Sequence, residues 1–276
     1  MTAKTKPRDY AGTMDVKVFD VDGQLLRTGI RHGSSSRPPL LMFNGIGANL
    51  ELAEPFMAEL ADTTGIIFDV PGVGGSPAPT FPYRPSTLAR MAKRLLNILG
   101  YDRADVSGVS WGGGAAQQFA FQYPAVCRKL ILAATAPGIT MFPGTPSVLS
   151  KMASPRRYTD PGYMRSIAAE IYGGAFRTDP TLIGKHAAAM KGATQYGYML
   201  QLLAMSGWTS LPWLWMLRQP TLILAGSDDP LVPMINAKML HSMIANSRLE
   251  VIDDGHLFMV TKPQETAQLV EAFLRE

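Results

Sequence analysis

The stretch Asp105-Val106-Ser107-Gly108-Val109-Ser110-Trp111-Gly112-Gly113-Gly114 indicates most directly how this chain folds. A Gly-x-Ser-x-Gly pattern is typical of a sharp strand-to-helix turn, in which a strained serine backbone exposes its hydroxyl above a parallel sheet. Glycine at positions 108 and 112 removes side chains that would collide in such a turn. The flanking residues predict a strand over 103–109 and a helix over 113–123. Ser110 is therefore a candidate nucleophile. The alternative is a glycine-rich strand-to-helix turn in which the serine has no catalytic role.

The composition indicates one large globular domain, or one domain with an insertion. The 276 residues are 46% hydrophobic and 17% charged, enough to bury a full core. No stretch is long and apolar enough to span a bilayer, and the basic residues in 1–10 precede no apolar run of the secretory type. We therefore expect a cytoplasmic protein. Cys127 is the only cysteine, which excludes an intrachain disulfide and a cysteine-cluster metal site, and its apolar surroundings predict a core position.

Hydrophobic patterning predicts strands that alternate with helices along most of the chain. The predicted strands are 16–20, 24–29, 39–43, 65–70, 103–109, 127–134, 220–225 and 248–252. The predicted helices between and after them are 51–61, 86–99, 113–123, 234–244 and 263–273. This alternation predicts an α/β fold, with a mostly parallel central sheet and helices on both of its faces.

The alternation is interrupted between residues 137 and 218. No buried-strand pattern occurs there, and helices are predicted over 163–172 and 185–205. We predict a helical cap, or lid, inserted into a core formed by 1–136 and 219–276. The whole chain has a net charge of +4. The inserted segment holds eight basic and three acidic residues, a net charge of +5, so all of the excess positive charge lies in it.

A serine nucleophile needs a histidine base and a carboxylate that orients it. His256 follows the strand over 248–252, at the edge where parallel sheets place their active sites. The other three histidines lie in an early loop (His32), in the cap (His186) and inside a helix (His241). Asp228 and Asp229 both follow the strand over 220–225, and only one of two neighbouring side chains can serve. The order Ser110, Asp229, His256 is that of the hydrolases that carry the Gly-x-Ser-x-Gly turn.

The oxyanion of a tetrahedral intermediate needs backbone N–H donors near the serine. The amide of Trp111, which follows the nucleophile, is one candidate. The loop after the strand over 39–43 is glycine-rich and supplies the second candidate, the amide of Ile46.

These motifs together resemble the α/β-hydrolase superfamily over nearly the whole chain. The matching elements are Asn44-Gly45-x-Gly47, Asp69-x-Pro71-Gly72-x-Gly74-x-Ser76, Gly108-x-Ser110-x-Gly112, Gly226-x-x-Asp229-x-x-x-Pro233 and Gly255-His256. In that superfamily the acid is the third residue after the strand-end glycine, which favours Asp229 over Asp228. Within it, the stretches 43–49 and 108–113 resemble the intracellular depolymerases of medium-chain-length polyhydroxyalkanoates. Most relatives have histidine where this chain has Asn44, and this departure matches the depolymerases.

The resemblance implies a serine esterase that needs no cofactor or metal and acts on a storage polyester of 3-hydroxy fatty acids. The cap fits an oily substrate, because 207–217 is rich in aromatic and aliphatic residues. Asn44, Trp208, Trp213 and Trp215 are candidate substrate-binding residues, although the aromatic run could instead pack the cap onto the core. Expected partners are the polyester, the granule surface and its coat proteins, and no nucleic acid. The oligomeric state is left open.

Two other functions fit the same sequence. One is a small-molecule carboxylesterase or carbon–carbon bond hydrolase, which uses the same three residues on soluble substrates. The other is a non-catalytic protein of this fold that binds a hydrophobic ligand. An aspartate-nucleophile hydrolase is excluded, because Ser110 occupies the nucleophile position.

Overall fold

A computed structural model describes residues 13–154, 156–190 and 194–276. The predicted absence of a secretory signal concerns residues 1–10 and so lies outside the described part of the chain. Within the described residues, no helix has both the length and the apolar composition needed to cross a bilayer.

In the described part of the chain, eight strands form a single sheet in the spatial order β1-β2-β4-β3-β5-β6-β7-β8. The strands are β1 (Asp15–Val21), β2 (Gln24–Arg31), β3 (Leu40–Phe43), β4 (Gly65–Phe68), β5 (Ala104–Val109), β6 (Cys127–Ala133), β7 (Thr221–Gly226) and β8 (Ser247–Ile252). β2 pairs antiparallel with β1 and with β4, and every other neighbouring pair is parallel. The predicted α/β fold with a mostly parallel sheet is confirmed.

Helices cover both faces of this sheet. They are α1 (Glu54–Glu59), α2 (Pro85–Ile98), α3 (Trp111–Gln122), α4 (Pro146–Ala153), α5 (Arg156–Thr159), α6 (Pro161–Tyr172), α7 (Ala175–Thr178), α8 (Pro180–Ala189), α9 (Gln195–Met205), α10 (Met234–Met243), α11 (Phe258–Thr261) and α12 (Pro263–Arg275). Two short 3₁₀ helices lie at Leu50–Ala53 and Leu211–Met216. The predicted helix over 51–61 is thus divided between the first of these and α1.

Alternate residues of the central strands enter two separate hydrophobic cores. Leu41 and Phe43 of β3 point into a core shared with α2, α3 and α10, whereas Leu40 and Met42 point into one shared with α1 and α12. This is the two-residue period of a strand that is buried on both faces. Cys127 is buried at the start of β6, as predicted.

Helices α4 to α9 lie between β6 and β7 in the chain. The prediction of one helix over 185–205 is wrong, because two helices occupy this part of the chain. α8 begins before the predicted start, at Pro180, and ends at Ala189, and α9 begins at Gln195. Thr194 caps α9, because its hydroxyl accepts a hydrogen bond from the Gly197 amide at 2.9 Å. Residues 191–193 of the predicted helix lie outside the described residues. The division of the chain into a core and a cap stays a prediction.

Candidate active site

Ser110 lies between the end of β5 and the first residue of α3. Its backbone has φ 54°, in the left-handed region that a residue with a side chain rarely adopts. Three hydrogen bonds hold this conformation. The Ser110 amide donates to the Ala133 carbonyl at 2.9 Å, and the Ser110 carbonyl accepts from the Gly113 amide at 2.9 Å and the Thr135 hydroxyl at 2.6 Å. The turn is therefore strained and rigidly supported, as expected of a functional site.

The two glycines that flank Ser110 allow close backbone packing. A Cβ atom at position 108 would lie 2.3 Å from the Gly112 carbonyl oxygen, and one at position 112 would lie 2.2 Å from the Phe43 carbonyl oxygen. These contacts are with backbone atoms, which cannot move aside easily. Glycine is thus required for α3 to begin directly against the end of β3.

His256 and Asp229 form a buried pair on the loops after β8 and β7. The His256 Nδ1 atom lies 2.7 Å from Asp229 Oδ2, and both side chains are almost completely buried. The other carboxylate oxygen of Asp229 accepts hydrogen bonds from the amides of Leu231 and Val232, each at 2.9 Å. The carboxylate is therefore fixed, and it orients the imidazole so that Nε2 is left for a substrate or for a serine hydroxyl.

Asp228 has a different set of contacts. Its carboxylate accepts a 2.8 Å hydrogen bond from the Gly174 amide and another of 2.8 Å from the Arg177 guanidinium. These contacts lower the pKa of the Asp228 carboxyl below its ordinary value, the amide of Gly174 having the largest effect. Asp228 anchors α7, and Asp229 is the neighbour that reaches His256.

Tyr172, at the end of α6, contacts His256 directly. The His256 amide donates to the Tyr172 carbonyl at 2.7 Å, and the two rings lie parallel with their centroids 6.3 Å apart. Tyr172 could not be predicted from the sequence, because it belongs to no motif and reaches the site only through tertiary packing.

The loop after β3 is held in place by side-chain hydrogen bonds. Asn44 accepts from the Gly45 amide at 2.9 Å and donates to the Asn49 carbonyl at 3.0 Å. The Gly47 amide donates to the Gln201 side chain of α9 at 2.7 Å. Asn44 and Ile46 both line a pocket that Ser110 also lines. Asn44 thus shapes the loop that carries Ile46, the residue predicted to supply an oxyanion donor.

Two pockets meet at Ser110. The first contains Ser110 and His256, and its described lining is mostly apolar, with Arg157, Tyr172 and His186 as additional polar residues. The second has a volume of about 300 Å³ and is more apolar still. Its lining includes Trp111, Met141, Leu149, Met205 and Trp208. This arrangement suits a substrate that has an apolar group on each side of the bond that lies at Ser110.

The three tryptophans within 207–217 that are candidate substrate-binding residues have different environments. Trp208 lines the second pocket and donates through its indole to Gln118 at 2.9 Å. Trp213 stacks on Phe121, with centroids 4.4 Å apart, and lines neither pocket. Trp215 is 58% exposed and also lines neither pocket. The structure therefore brings only Trp208 to the site.

The sequence and the fold match known proteins along most of the chain. A family model described as the alpha/beta hydrolase fold matches residues 38–195. A poly(3-hydroxyalkanoate) depolymerase from Ectopseudomonas oleovorans is 51% identical over 261 residues, which cover 94% of this chain and 92% of that protein. The 3-oxoadipate enol-lactonase 2 of Acinetobacter baylyi is 28% identical, with 88% and 91% covered. The solved enol-lactonase from Burkholderia xenovorans LB400 has a TM-score of 0.80 at 20% identity and covers 94% of this chain and 100% of that chain.

The chain belongs to the α/β-hydrolase family. The resemblance to polyhydroxyalkanoate depolymerases that the sequence motifs indicated is also confirmed, by the 51% identical depolymerase.

Proposed function

We propose that this ester hydrolase cleaves medium-chain-length polyhydroxyalkanoate to 3-hydroxy fatty acids or short oligomers. The relative that is 51% identical is named for depolymerising poly(3-hydroxyalkanoate), and its match extends over 94% of this chain. The observation that carries the proposal is the meeting of two apolar pockets at Ser110. A medium-chain polyester has an alkyl side chain on each side of every ester bond, and each of the two pockets that meet at Ser110 offers a mostly apolar lining to such a chain.

The proposed mechanism is acyl transfer through Ser110. His256 takes the Ser110 proton as the serine oxygen attacks the ester carbonyl, and Asp229 stabilises the imidazolium that forms. The amides of Ile46 and Trp111 stabilise the oxyanion. The tetrahedral intermediate collapses as His256 gives the proton to the leaving 3-hydroxyl oxygen. Water, deprotonated by His256, then attacks the acyl-enzyme, and His256 returns the proton to Ser110 Oγ as the acyl–Oγ bond breaks and the carboxylic acid leaves.

The start of α3 is suited to the proposed oxyanion donor at Trp111. The first amides of a helix have no partner within the helix, and the helix dipole places partial positive charge there. Trp111 is the first residue of α3, and its indole donates to the Gln201 carbonyl at 2.9 Å, which fixes the residue.

The test compares three substrate classes with the same enzyme: a medium-chain polyester suspension, soluble p-nitrophenyl esters and dienoic ring-cleavage products. The proposal predicts release of 3-hydroxy acids from the suspension by the wild-type enzyme and loss of at least about 10³-fold in kcat for Ser110→Ala. Turnover of the soluble substrates alone would favour the small-molecule hydrolase, and no turnover at all would favour a non-catalytic binding protein.

A further inference from the structure

We propose that Arg157 and His186 form a carboxylate-binding subsite in the first pocket, which holds the free acid end of a polyester chain or of a hydroxy-acid oligomer. The inference rests on the proposed function, because it specifies which part of the polymer the same site prefers. The enzyme would then work from acid-terminated chain ends rather than at random positions along the chain.

Arg157 places a cation inside a mostly apolar pocket. It is only 2% exposed and lines the pocket that contains Ser110 and His256. Its guanidinium donates long hydrogen bonds of 3.4 Å to the hydroxyls of Tyr172 and Tyr198, and it lies 5.3 Å from the Tyr198 ring centroid. A planar guanidinium can bind both oxygens of a carboxylate at once.

His186 supplies a second polar group in the same pocket. It is 6% exposed, and its Nδ1 atom has no hydrogen-bond partner among the described residues. Its ring contacts Tyr172 and Phe176 edge-on, with centroids 5.3 and 5.6 Å away. Buried polar atoms in proteins are almost always satisfied, so this nitrogen beside the pocket can form a hydrogen bond with a group that the ligand provides.

The charge of the pocket favours an anion over a neutral ester. None of the described residues that line it is acidic, and Arg157 is the cation among them. Burial, assisted by the Arg157 charge, lowers the pKa of His186 to about 4, so the imidazole is neutral at neutral pH. A neutral imidazole can donate one hydrogen bond to a carboxylate oxygen without a second buried charge.

Tyr172 connects this subsite to the proposed base. Its hydroxyl accepts from Arg157, while its carbonyl accepts from the His256 amide and its ring lies parallel to that of His256. An acid group at Arg157 would therefore be held in the pocket in which the scissile ester meets Ser110.

The test compares two soluble trimers of a medium-chain 3-hydroxy acid, one with a free carboxylate and one capped as its methyl ester. We expect the wild-type enzyme to have the higher kcat/KM for the free acid. Arg157→Met should lower kcat/KM for the free acid by about 10- to 100-fold, the range of one lost charge-assisted contact, and leave the capped trimer within about threefold. His186→Leu should show the same selective loss to a smaller extent.

Arg156→Met is the matched control, because the neighbouring Arg156 is 64% exposed in its side chain and pairs with Asp160 at 3.1 Å. It should leave both rates unchanged. Equal losses on the two trimers in Arg157→Met, or no preference in the wild-type enzyme, would overturn the subsite. If Arg157→Met does not fold, competitive inhibition of the wild-type enzyme decides the question: the free hydroxy acid should inhibit at least tenfold more strongly than its methyl ester, and equal inhibition overturns the subsite. Failure of the wild-type enzyme on both trimers would instead count against the proposed function.

Discussion

At the scale of single residues, the strain at Ser110 is made possible by the glycines around it. The left-handed backbone of Ser110 places its side chain above the sheet only if α3 can approach β3 without an intervening Cβ atom. This requirement is local, and it is written in the sequence as Gly-x-Ser-x-Gly. That is why the sequence predicts Ser110 as the candidate nucleophile, and why Asp229 and His256, each just past a strand, could be predicted as its partners.

Gly112→Ala should destabilise the fold and abolish most activity. The added methyl group would lie 2.2 Å from the Phe43 carbonyl oxygen, so α3 or β3 must move, at a cost of about 2 kcal/mol or more. Thermal unfolding and ester hydrolysis measure the two effects. Gly184→Ala in α8 is the control, because a Cβ atom there meets nothing within 4 Å and alanine favours a helix. Equal stability of the two variants would contradict the proposed tight turn.

His186 should make the protein sensitive to mild acid. Its pKa is about 4 in the folded protein, lowered mainly by burial, against an ordinary value of 6.5. The unfolded chain therefore binds more protons between these values, and stability falls as the pH drops from 6.5 towards 4, by about 2 kcal/mol at pH 5. The difference in free energy of unfolding between pH 7.5 and pH 5 should be smaller in His186→Leu by that amount. An unchanged difference would mean that His186 is not buried as a neutral ring.

At the scale of elements, α9 is positioned so that it fixes both sides of the proposed oxyanion hole. The Gln201 side chain, 1% exposed, accepts from the Gly47 amide, and its backbone carbonyl accepts from the Trp111 indole. Gln201 therefore contacts both proposed donors' surroundings: it binds Gly47, which follows Ile46, and it binds the side chain of Trp111. This coupling could not be predicted, because Gln201 belongs to no motif and the helix that carries it was predicted as part of a longer one.

Gln201→Leu should lower kcat by about tenfold or more while KM changes little. The variant loses the acceptor for the Gly47 amide, so the loop that carries the Ile46 amide is no longer held, and the loss appears in the transition state. Gln201→Glu keeps an acceptor oxygen and should recover most of kcat, as measured by steady-state kinetics on a soluble ester. Equal loss in both variants, or a loss confined to KM, would contradict a positioning role.

At the scale of the whole molecule, the mostly parallel sheet and the helices on both of its faces follow from hydrophobic patterning, but the contents of the pocket do not. Strands β3, β4 and β7 have nearly continuous apolar sequences and are buried along their whole length, as such sequences predict. Arg157, Tyr172 and His186 meet beside His256 only because three separate helices pack together. The sequence shows an excess of positive charge in residues 137–218. A charge count cannot distinguish the buried Arg157 from its exposed neighbour Arg156.

The exposed side of α9 is also apolar, although most surface helices are polar on that side. Tyr196, Met199 and Leu203 are 55%, 55% and 47% exposed, and the same helix contributes Met205 to the second pocket. An apolar surface next to the site is suited to contact with a solid polyester, in agreement with the proposed substrate.

Met199→Ser combined with Leu203→Ser should slow hydrolysis of a polyester suspension by about fivefold or more and leave a soluble ester unaffected. Each change removes apolar area that would be buried against the particle. Val18→Ser with Val251→Ser, at 58% and 54% exposure on the two edge strands, is the control and should affect neither substrate. Equal slowing of both substrates by the α9 variant would show that the helix supports the site and not particle binding.

The central claim is that Ser110 is a nucleophile activated by His256 and Asp229, and covalent labelling tests it most directly. The protein would be incubated with a fluorophosphonate, and its intact mass and labelled peptide measured by mass spectrometry. We predict one adduct per chain, located on Ser110, that is absent from Ser110→Ala and forms at least about 10³-fold more slowly in His256→Gln. An unlabelled wild-type protein, or an adduct on another residue, would contradict the account.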